Sequence, residues 1–435
     1  MGAKPPAEIT KFIAAKRAYV ERVAKDLNAK LPSEVGQLFD TAAQGNWQSV
    51  SNQFETLEKK FGPNLDESPI PRELWYVLQE VGGAYEVIGF WDTKYTRQFA
   101  DGIFKVVPTN AVYFGGTDPG RFVITAMSAS HEEGKPFFTI TQNQLAATPY
   151  LEYVQRIYGG KLKLPVKDDT TQVFQDYLAD AQRRMEHDRK FPNEPKQVKP
   201  GEDVKIVDNR VHASGRTAVM AINGGIAKRI FDRNPDHEFY VEESIPLDWM
   251  YPHITPAGPI FKVNRNKIDA LPATMLATDR AYWDARLKEA VGWQVTDETS
   301  IASVCAFADK VFGQRSVDDF KGDRGYLKEP DVQRITGKLR NATAGLYAWR
   351  AKEAKSAAER RRMLKEADLA FKQAYVLSPA NSEIVWHFTN YLIENLRKHD
   401  ALHFIRAAAK FNPRDEHTAG LLRYVEDWDA KNGTK

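Results

Sequence analysis

Residues 113–122 read "YFGGTDPGRF": three glycines, an acid and a base directly behind a short apolar run. Such a turn can hold an anion. Glycine lets backbone N–H groups approach a ligand closely, and a helix beginning at Arg121 would add the partial positive charge of its N-terminus. A phosphate, a carboxylate or a sugar would fit, with Asp118 and Arg121 as its ionisable contacts. The competing reading is structural: Asp118 caps a helix whose first residue is Pro119, and Gly115 with Gly116 makes a tight turn. Polar groups follow two further apolar runs in the same way. Gln142 and Asn143 follow "FFTIT", and Glu243, Ser244 and Asp248 follow "FYVE". Glu243 and Asp248 are the candidate catalytic pair, because glycoside hydrolysis runs on two carboxylates. The plain alternative is a solvated or salt-bridged pair. Glu242 and Glu243 are adjacent on a strand, so they point to opposite faces and cannot both line one pocket. "PLDWMYPHITPAGP" adds Trp249, Tyr251 and His253 between prolines. A rigid aromatic loop of this kind stacks on a sugar ring or packs as a lid over a sheet.

Other chemistries lack their residues. There is no H-E-x-x-H, no G-x-x-x-x-G-K-[ST] and no G-x-S-x-G. Ser214 in "VHASGR" lacks the flanking glycine of a nucleophile elbow. The single cysteine, Cys305, excludes an internal disulfide and a Cys-based zinc site, and its apolar helical setting predicts a buried thiol. His399 and His403 have the spacing of two helical metal ligands, but His399 falls at a turn between helices, so no metal is expected. No cofactor is implied. Lys and Arg total 61 against 58 for Asp and Glu, a net charge of +3, too balanced for a nucleic-acid-binding face spread over the whole molecule. "ERRRMLK" at 359–365 reads as a solvated basic segment or a contact for an acidic partner. No stretch approaches the ~18 apolar residues of a membrane span. The opening "MGAKPPAEITKF" lacks the apolar run of a signal peptide. A soluble chain is expected.

The elements that position these groups fall into regions. Residues 1–100 read as helices, with apolar positions at 3–4 spacing in "AEITKFIAAKRAYVERVAKDL". Residues 101–290 alternate. "AVYFGG", "PFFTITQ", "EFYVEES" and "PIFKVN" have the apolar character of short buried strands, and helical patterns separate the first three. That alternation predicts a parallel α/β sheet with all strand carboxyl ends on one edge, where ligands bind in such folds. The stretch from Lys190 to Gly215, rich in Pro and charge, predicts a long surface loop with room for one hairpin. Residues 291–340 form a helical connector.

From 341 to 435 the chain repeats. Ala367, Phe371, Ala374 and Pro379 recur as Ala401, Ile405, Ala408 and Pro413, each 34 positions later. That is the period of tetratricopeptide repeats. Small residues let paired helices approach, the bulky one fills a groove, and proline ends the pair. The fold class expected is therefore α/β plus α: a helical N-terminal region, a parallel α/β middle domain and C-terminal tetratricopeptide-like helical repeats.

The ordered run "YFGGTDPGRF", "FFTITQN", "YLEYVQRIYG", "DYLADAQRR", "FYVEESIPLDWMYPHITPAGPIFKVN" and "LYAWRA" resembles uncharacterised bacterial tetratricopeptide-repeat proteins over most of the chain. More distantly, the turn at 113–122 and "ESIPLDWMYPHITPAGPIFKVN" resemble the soluble segment of multispanning proteins similar to protein O-mannosyltransferases. The resemblance implies a fold and a periplasmic or envelope-associated setting. It carries over no catalytic residue, because in that family the catalytic acid is expected near membrane helices. Two functions follow as expectations. One is a non-catalytic scaffold that binds a peptide or protein through its repeats. The other is a glycan-processing envelope enzyme, with a site formed by Asp118, Arg121, Gln142, Asn143, Trp249, Tyr251 and His253 around an anionic or sugar ligand.

Overall fold

A computed structural model describes residues 7–63, 65, 67–128, 134–208, 210–242 and 247–432. The elements in order are α1 (Ala7–Asp26), α2 (Ser33–Ala43), α3 (Trp47–Phe61), α4 (Arg72–Phe90), α5 (Thr93–Phe104), β1 (Val112–Gly115), α6 (Ile124–Met127), β2 (Phe138–Thr141), α7 (Thr148–Tyr158), α8 (Lys167–Lys190), β3 (Asp203–Val207), β4 (Arg210–Ser214), α9 (Arg216–Arg233), β5 (Phe239–Glu242), β6 (Ile254–Ala257), β7 (Ile260–Val263), α10 (Ala273–Val291), α11 (Ile301–Ala308), α12 (Pro330–Glu353), α13 (Ala357–Leu377), α14 (Ser382–Glu394), α15 (Lys398–Ala408) and α16 (Glu416–Asn432). They gather into two compact units. One takes the chain up to 242 with 247–253 and 262–267, and the other takes 254–261 and everything from 268 onward. The expected boundaries at 100/101 and 340/341 fall inside α5 and α12. Among the described residues no helix is long and apolar enough to cross a membrane.

Five strands form one sheet in the order β2-β1-β5-β7-β6. β1 pairs with β2 and β5 in parallel, with Gly115 opposite both Thr141 and Glu242. The three carboxyl ends therefore lie level on one edge. The expectation of an all-parallel sheet fails at the other end. β6 and β7 are joined by Gly258 and Pro259 alone, with Gly258 at φ +60°. Two residues can close a hairpin but cannot make a parallel crossover. All four residues of each of β1, β2 and β5 are buried, as strands covered on both faces must be.

The first unit lays α1, α4 and α7 around a buried charged knot. Lys16 is 1% exposed on the apolar face of α1. It donates to the Tyr153 hydroxyl at 2.6 Å and sits 2.5 Å from the Glu80 carboxylate, to which Tyr153 also donates at 2.8 Å. A buried ammonium persists only when paired in this way. Burial pushes the Tyr153 hydroxyl well above its ordinary value, so it keeps its proton and remains a donor.

The polar excursion after α8 is an ordered attachment containing the antiparallel hairpin β3–β4. Glu202 accepts from both Arg184 and Tyr177 on α8 and from the backbone N–H of Lys199. Asp188 accepts from the backbone N–H groups of Gln197 and Val198 at 2.7 and 3.0 Å. The Arg184 guanidinium holds Glu202 down to about 2 from its ordinary 4.5.

In the second unit, Arg340 on α12 is fully buried and bridges Asp279 on α10 (2.7 Å) and Gln373 on α13 (2.8 Å), with its guanidinium over Trp283. Further along, α13, α14, α15 and α16 pack in sequence. Ala367, Ala374, Ala401 and Ala408 are buried at their contacts. The connecting turns are alike. Asn381 caps α14 through the Glu383 N–H, and Asp415 caps α16 through the Thr418 N–H. The amide of Asn412 in the second turn donates to the Ala380 carbonyl in the first.

Two outcomes are expected. Ala401→Leu inserts three carbons where no space exists and should cost roughly 1–3 kcal/mol in urea melts; wild-type stability would disprove the close contact. The Glu202 carboxylate has a folded-state value below its unfolded one, so its contribution is complete above about 4.5 and is lost as pH falls toward about 2. The stability gap between wild type and Glu202→Gln should therefore be full at neutral pH and shrink through that window.

Candidate functional site

The carboxyl edge of the parallel strands is where the polar groups meet, and its centre is a carboxylate that the ligand expectation omitted. Glu242, the last residue of β5, is fully buried. Its Oε2 accepts from the backbone N–H groups of Gly116 and Thr117 at 3.2 and 3.0 Å, and its Oε1 accepts from the Thr117 hydroxyl at 2.8 Å. The glycine turn does cradle an anion, and that anion is the side chain of the neighbouring strand. Thr117 Oγ1 also accepts from the Gly120 N–H at 3.0 Å, and the Tyr113 hydroxyl donates to the Gly120 carbonyl at 3.0 Å. A Cβ on Gly120 would stand 1.9 Å from Glu242 Oε2, so glycine is required for the fit. Behind the turn, Phe122 lies against Gly83 of α4, where a Cβ would meet its ring at 2.2 Å.

Asp118 and Arg121 meet, but as a pair. The Arg121 Nη2 and Nε donate to Asp118 Oδ1 at 2.5 and 3.1 Å, Nη1 reaches Asn143 Oδ1 at 3.4 Å, and the guanidinium lies over Phe122. The expected capping by Asp118 does not occur, since its side chain makes no cap bond and its backbone is already helical. Thr117 captures the orphan N–H instead. Pro119 does begin a helical segment, but as a single π turn (Pro119–Val123) running into α6.

Gln142 is fully buried just beyond β2, and neither atom of its amide has a hydrogen-bond partner among the described residues. Asn143 is tied into the fold, its carbonyl accepting from Asn223 of α9 at 3.3 Å. The Thr141 N–H donates to the Tyr150 hydroxyl at 2.6 Å; burial raises that phenol above its ordinary value, so it stays protonated.

Of the expected acid–base pair only Asp248 is described. Glu243 lies outside the described residues. Asp248 is 89% exposed on its side chain and paired with Lys199 at 3.0 Å. The aromatic loop packs on α9: Trp249 Nε1 donates to the Gly224 carbonyl at 2.9 Å, and its ring lies against Phe231. His253 Nδ1 bonds the Asn264 carbonyl at 2.8 Å and packs on the same phenylalanine. Tyr251 is half-buried in the same loop.

Among the described residues no group of three or more His, Cys, Asp or Glu side chains is placed to hold a metal ion. Cys305 is buried, as expected, and burial pushes its thiol up to about 12. No protein family, curated protein or solved structure matches this chain.

Thr117 was the sequence clue to the Glu242 clamp. A hydroxyl between glycines and a proline can serve as both cap and donor, whereas attention to charge led to Asp118. The clamp gives a graded expectation. Gly120→Ala and Glu242→Ala should each cost about 1–3 kcal/mol, the first by collision and the second by leaving the half-buried Gly116 and Thr117 N–H groups without an acceptor. Arg121→Ala breaks a pair whose Asp118 carboxylate is largely exposed and should fall within about 1 kcal/mol. Urea melts that reverse this order would show that the turn depends on Arg121.

Proposed function

We propose that this chain is a non-catalytic interaction protein that binds a peptide or protein partner through a C-terminal tetratricopeptide-like array. The observation that carries the reading is the recurrence at 34 residues of more than sequence. The start of α14 at Ser382 recurs in α16 at Glu416, and the cap at Asn381 recurs at Asp415. The alanines that let the helices approach keep the same offset. Helix pairs of this kind leave side chains outward for a partner, and Trp386 and Tyr424 are 52% and 56% exposed. Large exposed aromatics are common anchors at interfaces. The strand edge supports the same reading from the other side, because Glu242, Asp118, Asp248, Trp249 and His253 are engaged within the fold. The likeness to bacterial tetratricopeptide-repeat proteins, and an envelope setting, belong to this proposal.

A second reading, a glycan-processing enzyme at the strand edge, rests on Gln142. A buried amide with both ends unbonded is costly unless something meets it.

The test is capture. Immobilised full-length chain should retain one protein from an extract of its source cells in near-equimolar amount, and Trp386→Ala with Tyr424→Ala should lose it while melting normally. Retention unaffected by those changes would overturn the reading. Glycan cleavage abolished by Asp248→Ala would replace it with the enzyme.

A further inference from the structure

We infer that the outer edge of β3 is a docking site for an extended segment of a partner protein, separate from the helical repeats. The hairpin β3–β4 is a two-stranded sheet of its own. Its register pairs Val207 with Arg210 across a two-residue turn, which Asp208 enters at φ +50°. In such a turn the closing pair exchanges both backbone bonds, and the pattern alternates from there. Asp203, Lys205 and Val207 therefore bond to β4. The N–H and C=O groups of Val204 and Ile206 point the other way, and they bond no other group among the described residues.

This edge differs from the others. β4 packs on both α8 and α9, whereas β3 packs on α8, so β3 is the outer strand of the hairpin. In the five-stranded sheet, edge strand β2 is buried throughout, and on β6 the Ile254 carbonyl accepts from Arg350 at 2.9 Å. On β3, by contrast, Ile206 and Val207 are 51% and 42% exposed. Such β-branched residues stabilise strands chiefly by packing against neighbours. The base of the hairpin is held by Glu202 on Arg184 and Tyr177. The edge is thus already in place, and little ordering is left for binding to impose.

The groups on offer select the occupant. Outward N–H and C=O groups on a five-residue strand, about 17 Å long, match an extended backbone, as strand addition requires. Val204 and Ile206 share a face with Val211 and Ala213, and Lys205 lies on the opposite face. An incoming residue opposite Val204 or Ile206 meets apolar neighbours, and one opposite Lys205 meets an ammonium. Lys205 also reaches Asp203 at 3.2 Å, an exposed contact of little strength. The complementary segment therefore reads apolar, acid, apolar. A second copy of β3 fits poorly. Pairing both outward residues of each copy sets Lys205 against Lys205, and like charges directly opposite repel. A register centred on Val204 needs the Glu202 N–H, which already donates to the Lys199 carbonyl at 3.1 Å. One centred on Ile206 needs extended backbone at Asp208, which has positive φ.

The experiment is fluorescence polarisation on the full chain with a labelled Thr-Val-Glu-Val-Thr peptide, and saturable binding is expected. N-methylation of both valines, whose amides face β3, should weaken it about tenfold or more, because two backbone bonds are lost. N-methylation of the glutamate, whose amide faces away, should leave it unchanged. At saturation, hydrogen exchange should slow at the Val204 and Ile206 amides. Trp386→Ala with Tyr424→Ala should bind the peptide like wild type, which separates this edge from the repeats. The inference is overturned if the peptide does not saturate, if both methylated peptides bind alike, if protection appears away from β3, or if the double variant loses the peptide. A dimer in light scattering that the peptide dissociates would assign the edge to a second copy and overturn it as well.

Discussion

The carboxylate of Glu242 inside the turn after β1 organises the strand edge of the first unit. Two backbone N–H groups and one hydroxyl converge on it. A buried carboxylate needs such donors, and the donors need an acceptor once water is excluded. Each half of the contact therefore requires the other. The clamp joins β5 to the loop after β1, and that loop in turn sets where Arg121 and Phe122 lie. Gly120 and Gly83 are small because the clamp and the Phe122 ring occupy the space a methyl would take.

This arrangement changes the meaning of an anion-binding turn. Glycines, a hydroxyl and a helical start make a receptor for negative charge wherever they occur together. In this fold the receptor and its anion belong to one chain. The geometry that would hold a phosphate instead fixes the register of two neighbouring strands.

Local pattern was enough for most elements. Apolar runs bounded by Gly or Pro gave β1, β2, β5 and β7, and 3–4 spacing gave α1 and the helices after 341. Long-range pairing escaped it. Lys16, Glu80 and Tyr153 lie on three helices far apart in sequence, and nothing near Lys16 marks it as buried. Arg340 and Asp279 are hidden in the same way. The hairpin β6–β7 was missed in part because "ITPA" is short and holds a proline. For the candidate site, residue types at the strand edge were legible, but whether they were free or already paired depended on partners from 3 residues away, for Asp118 and Arg121, to 125, for Thr117 and Glu242.

Cys305 lies buried on α11 with a thiol that stays protonated at ordinary pH. The native fold is thus nearly silent toward maleimides and other thiolate-seeking reagents. A cysteine placed at an exposed position such as Trp386 would be the one reactive handle on an otherwise unaltered background. A spin label or crosslinker could be put there without first removing the natural residue. The burial that denies Cys305 a chemical role makes the chain convenient for mapping what comes to rest on its surface.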